Sequence, residues 1–359
     1  MQYSNAKKMV ALLLLLLPAA ARAQAPDDAQ ALVKQGVTLY DQGKYDEAVL
    51  RYRQALKLAP DNFTAQYELA MTYGALGRNE EVVDLCRKLL KNNAEASDNV
   101  YVTYGTALDD LKKPQEAVKI YQAGIRKFPD SGLLYYNLGV TQAGLRQYDE
   151  AIGSQQRAVR LNPSHASAHR VLAILTAAEG NRVPAILEYV RFLQLEPQSR
   201  RAAANLTQLD QLLGQGVEKT GENSVTINMS TELLKQVNGR KNKPDNFGQA
   251  DMLLTMAAAL DHDEKNKDKT PTARLTEKLG SLCRSLAEQQ PASRQGFAWE
   301  YYAPFFITLE KAGYVPTLAY LIQSSRTDQA DVQQWLQQHP SEVKELQEWA
   351  AAYVWPKGK

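Results

Sequence analysis

The stretch that decides the fold lies between residues 101 and 129 and reads YVTYGTALDDLKKPQEAVKIYQAGIRKFP. The pattern returns 34 residues later, between residues 135 and 163, as YYNLGVTQAGLRQYDEAIGSQQRAVRLNP. In each copy a glycine in the first half (Gly105 in the first copy) precedes an alanine in the second half (Ala117), and a proline closes the unit. The closing prolines, each 34 residues from the next, are Pro129, Pro163 and Pro197. A repeat of this length predicts paired helices that stack on their neighbours.

Further copies lie on both sides of this stretch. Their small residues and closing prolines are Gly36, Ala48 and Pro60 in the first copy and Ala173, Ala185 and Pro197 in the last. A divergent copy after Pro60 keeps Ala70 and Tyr73 but lacks a closing proline. Five ordered copies over about residues 29–198 resemble the tetratricopeptide repeat family.

The resemblance implies an all-α solenoid of five helix-turn-helix repeats. Small residues such as Gly36 and Gly105 stand where two helices cross, and Tyr52, Tyr121 and Tyr189 are expected to fill the gap toward the next repeat. Glycine tolerates a positive φ, which predicts turns at Gly43, Gly77 and Gly180. The leucine-rich segment 200–213 is expected to form a polar-faced helix that caps the array.

In this family the first helix of each repeat lines a concave groove that binds a peptide or protein. The groove positions carried onto this chain are Tyr40, Tyr67, Met71, Val102, Thr106, Tyr136, Asn137, Arg170 and Ile174. Val33 and Val37 stand where the family's two-carboxylate clamp has lysine and asparagine, so a carboxylate-terminated ligand is not expected. An alternative is that helices from the C-terminal region fold back and fill the groove.

The N-terminus has the pattern of a secretory signal. Lys7 and Lys8 precede an apolar run at residues 10–17, and Ala21-Arg22-Ala23 offers small residues for cleavage before Gln24. We therefore expect residues 1–23 to be removed and the protein to be exported, as a periplasmic or secreted protein of a bacterium. No later stretch reaches the length needed to span a membrane.

Charge and cysteine content exclude some classes of protein. The whole chain carries 42 basic and 40 acidic residues, and removal of the signal leaves 39 and 40. This balance argues against nucleic acid as a partner. It also predicts a groove in which aromatic and amide side chains contact the ligand and few charged side chains are present. Two cysteines, Cys86 and Cys283, are too few for a disulfide scaffold or a four-cysteine zinc site, and we expect both to be buried free thiols. We expect neither a cofactor nor a metal.

The rest of the chain has no recognised family motif. After the repeats at residues 24–213 we expect a linker at 214–246, with a short extended segment at 224–229 and a helix capped by Ser230. A helical region then covers 247–359, with helices predicted at 247–260, 271–290, 299–312, 316–324, 328–338 and 341–354. It is open whether this region is a separate bundle or a continuation of the solenoid.

Several clusters could carry chemistry. The acidic run Asp261-His262-Asp263-Glu264 lacks metal-site spacing and is interpreted as a charged loop, and the pair His165 and His169 is interpreted as loop and packing residues. The leading hypothesis is therefore an exported scaffold without catalysis that binds a protein partner. A second is an enzyme with its site in the C-terminal helices, near residues 261–264 or Glu300. A third is a membrane-surface protein that uses the aromatic residues between Trp299 and Phe306.

Overall fold

The computed structural model describes residues 17–92, 96–221, 224–238, 244–289 and 295–357. The predicted basic and apolar parts of the signal, up to residue 16, lie outside the described residues. The chain divides into two compact units: the first is Met1–Leu145 and the second is Arg146–Lys359. The division falls between the two helices of the fourth repeat. Among the described helices, none is long and apolar enough to cross a membrane.

The first unit contains seven helices in its described part. They are α1 (Leu17–Asp41), α2 (Tyr45–Leu58), α3 (Phe63–Ala75), α4 (Asn79–Asn92), α5 (Asp98–Asp110), α6 (Pro114–Lys127) and α7 (Gly132–Gly144). Neighbouring helices contact each other in chain order, and α5 also contacts α3 and α7. This is the predicted stacking of helix pairs, with α1, α3, α5 and α7 as first helices of four repeats. Helix α1 runs through the predicted cleavage site without interruption.

The crossing of two helices in a repeat explains the glycines at Gly36 and Gly105. A Cβ at Gly36 would lie 2.4 Å from Cε1 of Tyr52, and one at Gly105 would lie 2.3 Å from Cε1 of Tyr121. Each tyrosine ring therefore crosses the first helix of its own repeat. The prediction that these rings fill the gap toward the next repeat was therefore incomplete, because Tyr52 and Tyr121 each pack against the first helix of their own repeat.

The turns inside the repeats confirm the predicted glycines and add two that were missed. Gly43, Gly77 and Gly180 have φ values of 73°, 71° and 78°. In the third and fourth repeats the corresponding turns place Lys112 and Arg146 at φ 59° and 62°. The left-handed conformation is thus kept even where a side chain makes it unfavourable.

The second unit begins with the rest of the solenoid. It contains α8 (Tyr148–Leu161), α9 (Ala166–Ala178), α10 (Arg182–Leu195) and α11 (Ala202–Gly214). Helix α11 is the predicted cap, with Leu206, Leu209 and Leu213 buried against the fold. It contacts α10 and also α13 of the C-terminal region, so it is an internal layer of this unit.

The predicted linker contains a small hairpin. Strand β1 (Val217–Lys219) pairs antiparallel with β2 (Val225–Ile227), and Val217 lies opposite Ile227. The extended segment was predicted, and its partner strand was not. Ser230 accepts a hydrogen bond from the backbone N–H of Leu233 and caps the next helix as predicted.

Seven helices follow in the described residues. They are α12 (Thr231–Asn238), α13 (Gly248–Leu260), α14 (Pro271–Glu288), α15 (Phe297–Lys311), α16 (Val315–Ile322), α17 (Ala330–Gln338) and α18 (Pro340–Ala352). A 3-10 turn, Glu264–Asn266, lies in the predicted charged loop. Helices α13, α15 and α16 contact α10, so the C-terminal region shares a compact unit with the last repeat. Helix α10 is consequently buried on all sides from Arg182 to Gln194.

Candidate functional site

In each unit the solvent-facing residues of the first helices form a surface that we call the first-helix face of that unit. It comprises α1, α3, α5 and α7 in the first unit and α9 in the second. Thr106 and Ile174 are exposed on it. The remaining predicted groove residues are half-buried: Tyr40, Tyr67, Met71, Val102, Tyr136 and Asn137 in the first unit and Arg170 in the second. The predicted residues therefore divide between the two units.

The groove assignment was wrong for Val33. Its side chain is 3 % exposed and belongs to the core of the first unit, together with Ala48 and Tyr52. Val37 is half-buried and packs against the same core. Both side chains pack against the core of the helix pair. Neither valine is therefore placed to contact a ligand at the position of the family's clamp residues.

Side chains of α3 and α5 are tied together at this face. The hydroxyls of Tyr67 and Thr103 lie 3.5 Å apart, and the Thr103 hydroxyl donates to Sδ of Met71 over 3.3 Å. The ring of Tyr67 also stacks on Phe63, with centroids 6.2 Å apart. Burial raises the pKa of Tyr67 above its usual value, so the phenol stays neutral and can donate or accept a hydrogen bond.

A second polar cluster joins α5, α6 and α7. The Tyr121 hydroxyl donates to Oδ2 of Asp109 over 3.4 Å and lies 3.3 Å from the Thr106 hydroxyl. The Thr141 hydroxyl donates to the same oxygen of Asp109. Burial raises the pKa of Asp109 above its usual value, although both hydroxyl donors act in the opposite direction. A carboxylate is therefore held at the face by neutral donors.

The expectation of a face with few ions was also wrong. Asp41, Glu68, Asp109 and Asp110 lie on the first helices of the first unit, against a single lysine, Lys34, among the side chains described there. Glu68 is half-buried beside Tyr67. It occupies the sixth position of its repeat, which is one of the family's groove positions, so the repeat register alone could have identified it.

In the second unit the C-terminal helices do not cover the first-helix face. They pack mainly on the second helices: the Tyr301 hydroxyl donates to the carbonyl oxygen of Val159 over 2.7 Å, and α15 and α16 contact α10, while Tyr302 reaches only the buried His169 of α9. Ile174 on α9 remains 42 % exposed. The alternative in which C-terminal helices fill this part of the groove is therefore wrong.

The aromatic residues of α15 are interior residues. Trp299, Tyr301, Tyr302, Phe305 and Phe306 are all buried. Phe305 stacks on Trp355 with centroids 4.8 Å apart, and Trp299 stacks on Phe247 at 4.3 Å. These rings form a core, and the hypothesis that they bind a membrane surface is wrong.

The acidic residues proposed for an enzyme site have structural partners. Asp261 pairs with Lys278, Asp263 accepts from the backbone N–H of Lys265 at the start of the 3-10 turn, and Glu264 pairs with Lys267. Glu300 lies 3.2 Å from Nη2 of Arg160. In the described ranges no three histidine, cysteine, aspartate or glutamate residues are grouped so that they could hold a metal ion.

The histidine and cysteine predictions are confirmed. Nδ1 of His169 lies 2.7 Å from the Tyr302 hydroxyl, and burial lowers the pKa of this histidine to about 3, so the ring is a neutral packing residue. His165 caps α9 by accepting from the backbone N–H of Ala168. Both cysteine thiols are free and buried, and burial raises the pKa of Cys86 to about 12.

Stacked helix pairs with an open first-helix face define a helical-repeat scaffold for protein interactions. The N-terminal region contains tetratricopeptide repeats: residues 36–77 match the family described as TPR repeat, and residues 14–50 and 105–166 match the family described as Tetratricopeptide repeat. The predicted fold is thereby confirmed.

Curated relatives share this segment. The human Protein O-mannosyl-transferase TMTC1 is 31 % identical over 193 residues, which is 53 % of this chain and 22 % of the relative. The TPR repeat-containing protein MJ1428 of Methanocaldococcus jannaschii is 29 % identical over 171 residues, 45 % of this chain and 30 % of that protein. The chain thus spans less than a third of the length of either of these two relatives.

Solved structures with a similar fold include Pseudomonas aeruginosa pilF, which is 23 % identical with a TM-score of 0.47 and covers 54 % of this chain and 86 % of its own. The protein TTC0263 of Thermus thermophilus, titled a thermophilic TPR protein, is also 23 % identical, with a TM-score of 0.43 over 52 % of this chain and 98 % of its own.

Proposed function

We propose that this protein is an exported, non-catalytic scaffold that holds a peptide segment of a protein partner on its first-helix face. The observation that supports the proposal is the surface of α5 and α7. Val140, which is 42 % exposed, lies on this surface with exposed Leu133 and Thr106 and with half-buried Asn137. Apolar side chains that stand in solvent beside hydrogen-bonding groups are typical of a surface that binds a protein.

The binding mode follows from the chemistry of these groups. Thr106 and Asn137 can bond the backbone of an extended segment, and Leu133 and Val140 can pack against its side chains. A preformed helical array loses little conformational entropy on binding, which favours capture of a flexible partner. The half-buried aromatic residues Tyr67 and Tyr136 add contact area of the kind that dominates protein interfaces.

Site-specific crosslinking tests the face. A photo-crosslinking amino acid is placed at Thr106, at Val140, and at Leu50 as the control, because Leu50 is 59 % exposed on the second helix α2 of the same unit. Crosslinked products formed in intact cells are then identified by mass spectrometry. We expect one shared partner from positions 106 and 140 and none from position 50. No partner at either face position, or the same products from all three, would overturn the assignment.

Export is the second part of the proposal. It is supported by the basic, apolar and small-residue segments that precede Gln24. Mass spectrometry of the protein purified from fractionated cells tests it directly. We expect a mature N-terminus at Gln24 in the envelope or secreted fraction, and an intact Met1 in the cytoplasm would refute export.

A further inference from the structure

The charge on the first-helix face of the first unit is one-sided. Asp41 ends α1, Glu68 lies in α3, and Asp109 and Asp110 end α5. Lys34 is the one basic residue among the described side chains of α1, α3, α5 and α7. A surface with this composition attracts cations and repels acidic segments.

Two carboxylates on the second helix α4 of the same unit are paired with arginines. In α4, Glu81 pairs with Arg78 and Asp84 pairs with Arg87 at 2.9 Å. Among the described residues, in contrast, no lysine or arginine forms an ion pair with Asp41, Glu68, Asp109 or Asp110. Two carboxylates of α4 thus have a paired arginine, whereas these four carboxylates have no paired cation among the described residues.

Two of these carboxylates are also withdrawn from water. Glu68 and Asp109 are half-buried, and burial raises the pKa of each above its usual value. Repulsion from Asp41 raises the pKa of Glu68 further, and repulsion from Asp110 does the same for Asp109. A cation that arrived with a ligand would relieve both the lost solvation and the repulsion.

A buried hydroxyl beside Glu68 points to the same ligand. The ring of Tyr52 crosses α1 at Gly36, which directs its hydroxyl from α2 toward the first-helix side. Tyr52 is completely buried, and its hydroxyl lies near the Thr72 side chain but makes no hydrogen bond of normal geometry among the described residues. The corresponding hydroxyl of Tyr121 bonds Asp109. Because an unsatisfied buried hydroxyl is costly, a further polar partner for Tyr52, whose pKa is raised by burial and by the charges of Glu68 and Asp41, would be favourable.

We propose that the segment held on the first-helix face is a basic peptide, with lysine or arginine side chains seated at Asp41–Glu68 and at Asp109–Asp110. The ammonium or guanidinium group at the first position has the Tyr52 oxygen as a further acceptor. Adjacent first helices lie roughly 10 Å apart, and an extended chain advances roughly 3.3 Å per residue. Basic residues about three positions apart therefore match adjacent first helices such as α3 and α5, and residues about six apart match α1 and α5. This inference rests on the proposed function, because it specifies the ligand of that face.

Selection from a random library tests the charge preference. The full-length mature protein is panned against phage-displayed dodecapeptides, and the enriched pool is sequenced. Binding of synthetic peptides from the pool is then measured by fluorescence anisotropy at low and physiological salt. The variants are Glu68→Gln and Asp109→Asn, which keep shape and hydrogen bonding, and Glu116→Gln as the control on the exposed side of α6. Val140→Arg blocks the face itself.

We expect lysine and arginine to be enriched together with apolar residues. Each face variant should weaken binding about three- to tenfold, the effect should shrink at higher salt, and Glu116→Gln should change nothing. Enrichment of acidic or neutral peptides that Val140→Arg still abolishes would overturn this inference and leave the proposed function standing. A library without enriched binders, or binders insensitive to Val140→Arg, would overturn both.

Discussion

The guanidinium of Arg182 donates from Nη1 to Oδ1 of Asp251 over 2.6 Å and to Oγ1 of Thr255 over 2.7 Å. Its Nε donates to the carbonyl oxygen of Leu212 over 2.6 Å. Arg182 begins α10 and Asp251 lies in α13, so this pair fastens the C-terminal region to the last repeat. Both side chains are largely withdrawn from solvent. Breaking such a pair from one side leaves a buried charge without compensation.

Arg182→Met should therefore destabilise the second unit by about 3–5 kcal/mol. The loss comes from the unpaired Asp251 carboxylate and from the carbonyl oxygens of Leu212 and Leu213, which lose their donors. All four tryptophans lie in this unit, so tryptophan fluorescence during urea unfolding reports its stability. Lys344→Ala is the control, because Lys344 and Glu348 pair in solvent. A midpoint unchanged by Arg182→Met would show that the pair contributes little.

Gly36→Ala should destabilise the first unit by about 1–3 kcal/mol, because the new Cβ would overlap the buried Tyr52 ring. Gly74→Ala in α3 is the control: its Cβ would meet nothing closer than Val82 at 3.9 Å, and alanine favours the helix. Far-UV circular dichroism follows both units, and tryptophan fluorescence follows the second. The expected result is an earlier transition in circular dichroism alone. Equal midpoints for the two variants would contradict the crossing geometry.

The repeat made most of this geometry predictable. A 34-residue period fixes where Gly36 and Gly105 recur, and a small residue at a fixed place in each copy means that two helices meet there. The same register places Tyr67, Thr106 and Asn137 on the first helices. What it could not decide is burial, since Val33 occupies a groove position of the family and yet packs inside the helix pair.

Features outside the period were harder to predict. Helix α15 is mostly apolar and aromatic, and such a helix can be interior or bind a membrane. Only its contacts with Val159 and Trp355 decide the question, and they join residues more than 40 positions apart. Strand β1 was missed because three residues carry too little pattern to mark a strand. The turns at Lys112 and Arg146 were not predicted, since neither residue type indicates a positive φ.

Asp245 should make the second unit less stable as the pH rises. Its Oδ1 accepts from the backbone N–H groups of Ala298 and Trp299 at the start of α15, and burial raises its pKa to about 6. A raised pKa in the folded state means that the protonated form stabilises the fold. This contribution is present below the usual pKa of Asp, about 4, and is lost as the pH rises through 6.

Asp245→Asn keeps an acceptor for the same N–H groups and removes the titration. The variant should therefore gain stability over the natural protein between pH 4 and pH 7.5, by about 1–3 kcal/mol. Burial also raises the pKa of Glu188, and repulsion from Asp245 raises it further, so Asp245→Asn relieves part of that shift and acts in the same direction. Urea unfolding followed by tryptophan fluorescence at several pH values measures the effect. A difference between the two proteins that does not vary with pH would refute this role.

Among the residues near the C-terminus, we expect Trp355 to contribute most to the stability of the aromatic core. It is 8 % exposed, stacks on Tyr301 at 4.6 Å and on Phe305 at 4.8 Å, and lies under the guanidinium of Arg191, 5.0 Å from its ring centre. Trp355→Ala should cost about 3–5 kcal/mol, because it removes a large buried ring together with a cation–π contact. The neighbouring Val354 is 85 % exposed, so Val354→Ala should change stability by less than about 0.5 kcal/mol. Thermal unfolding by circular dichroism compares the two variants, and similar melting temperatures would mean that the aromatic core does not need this ring.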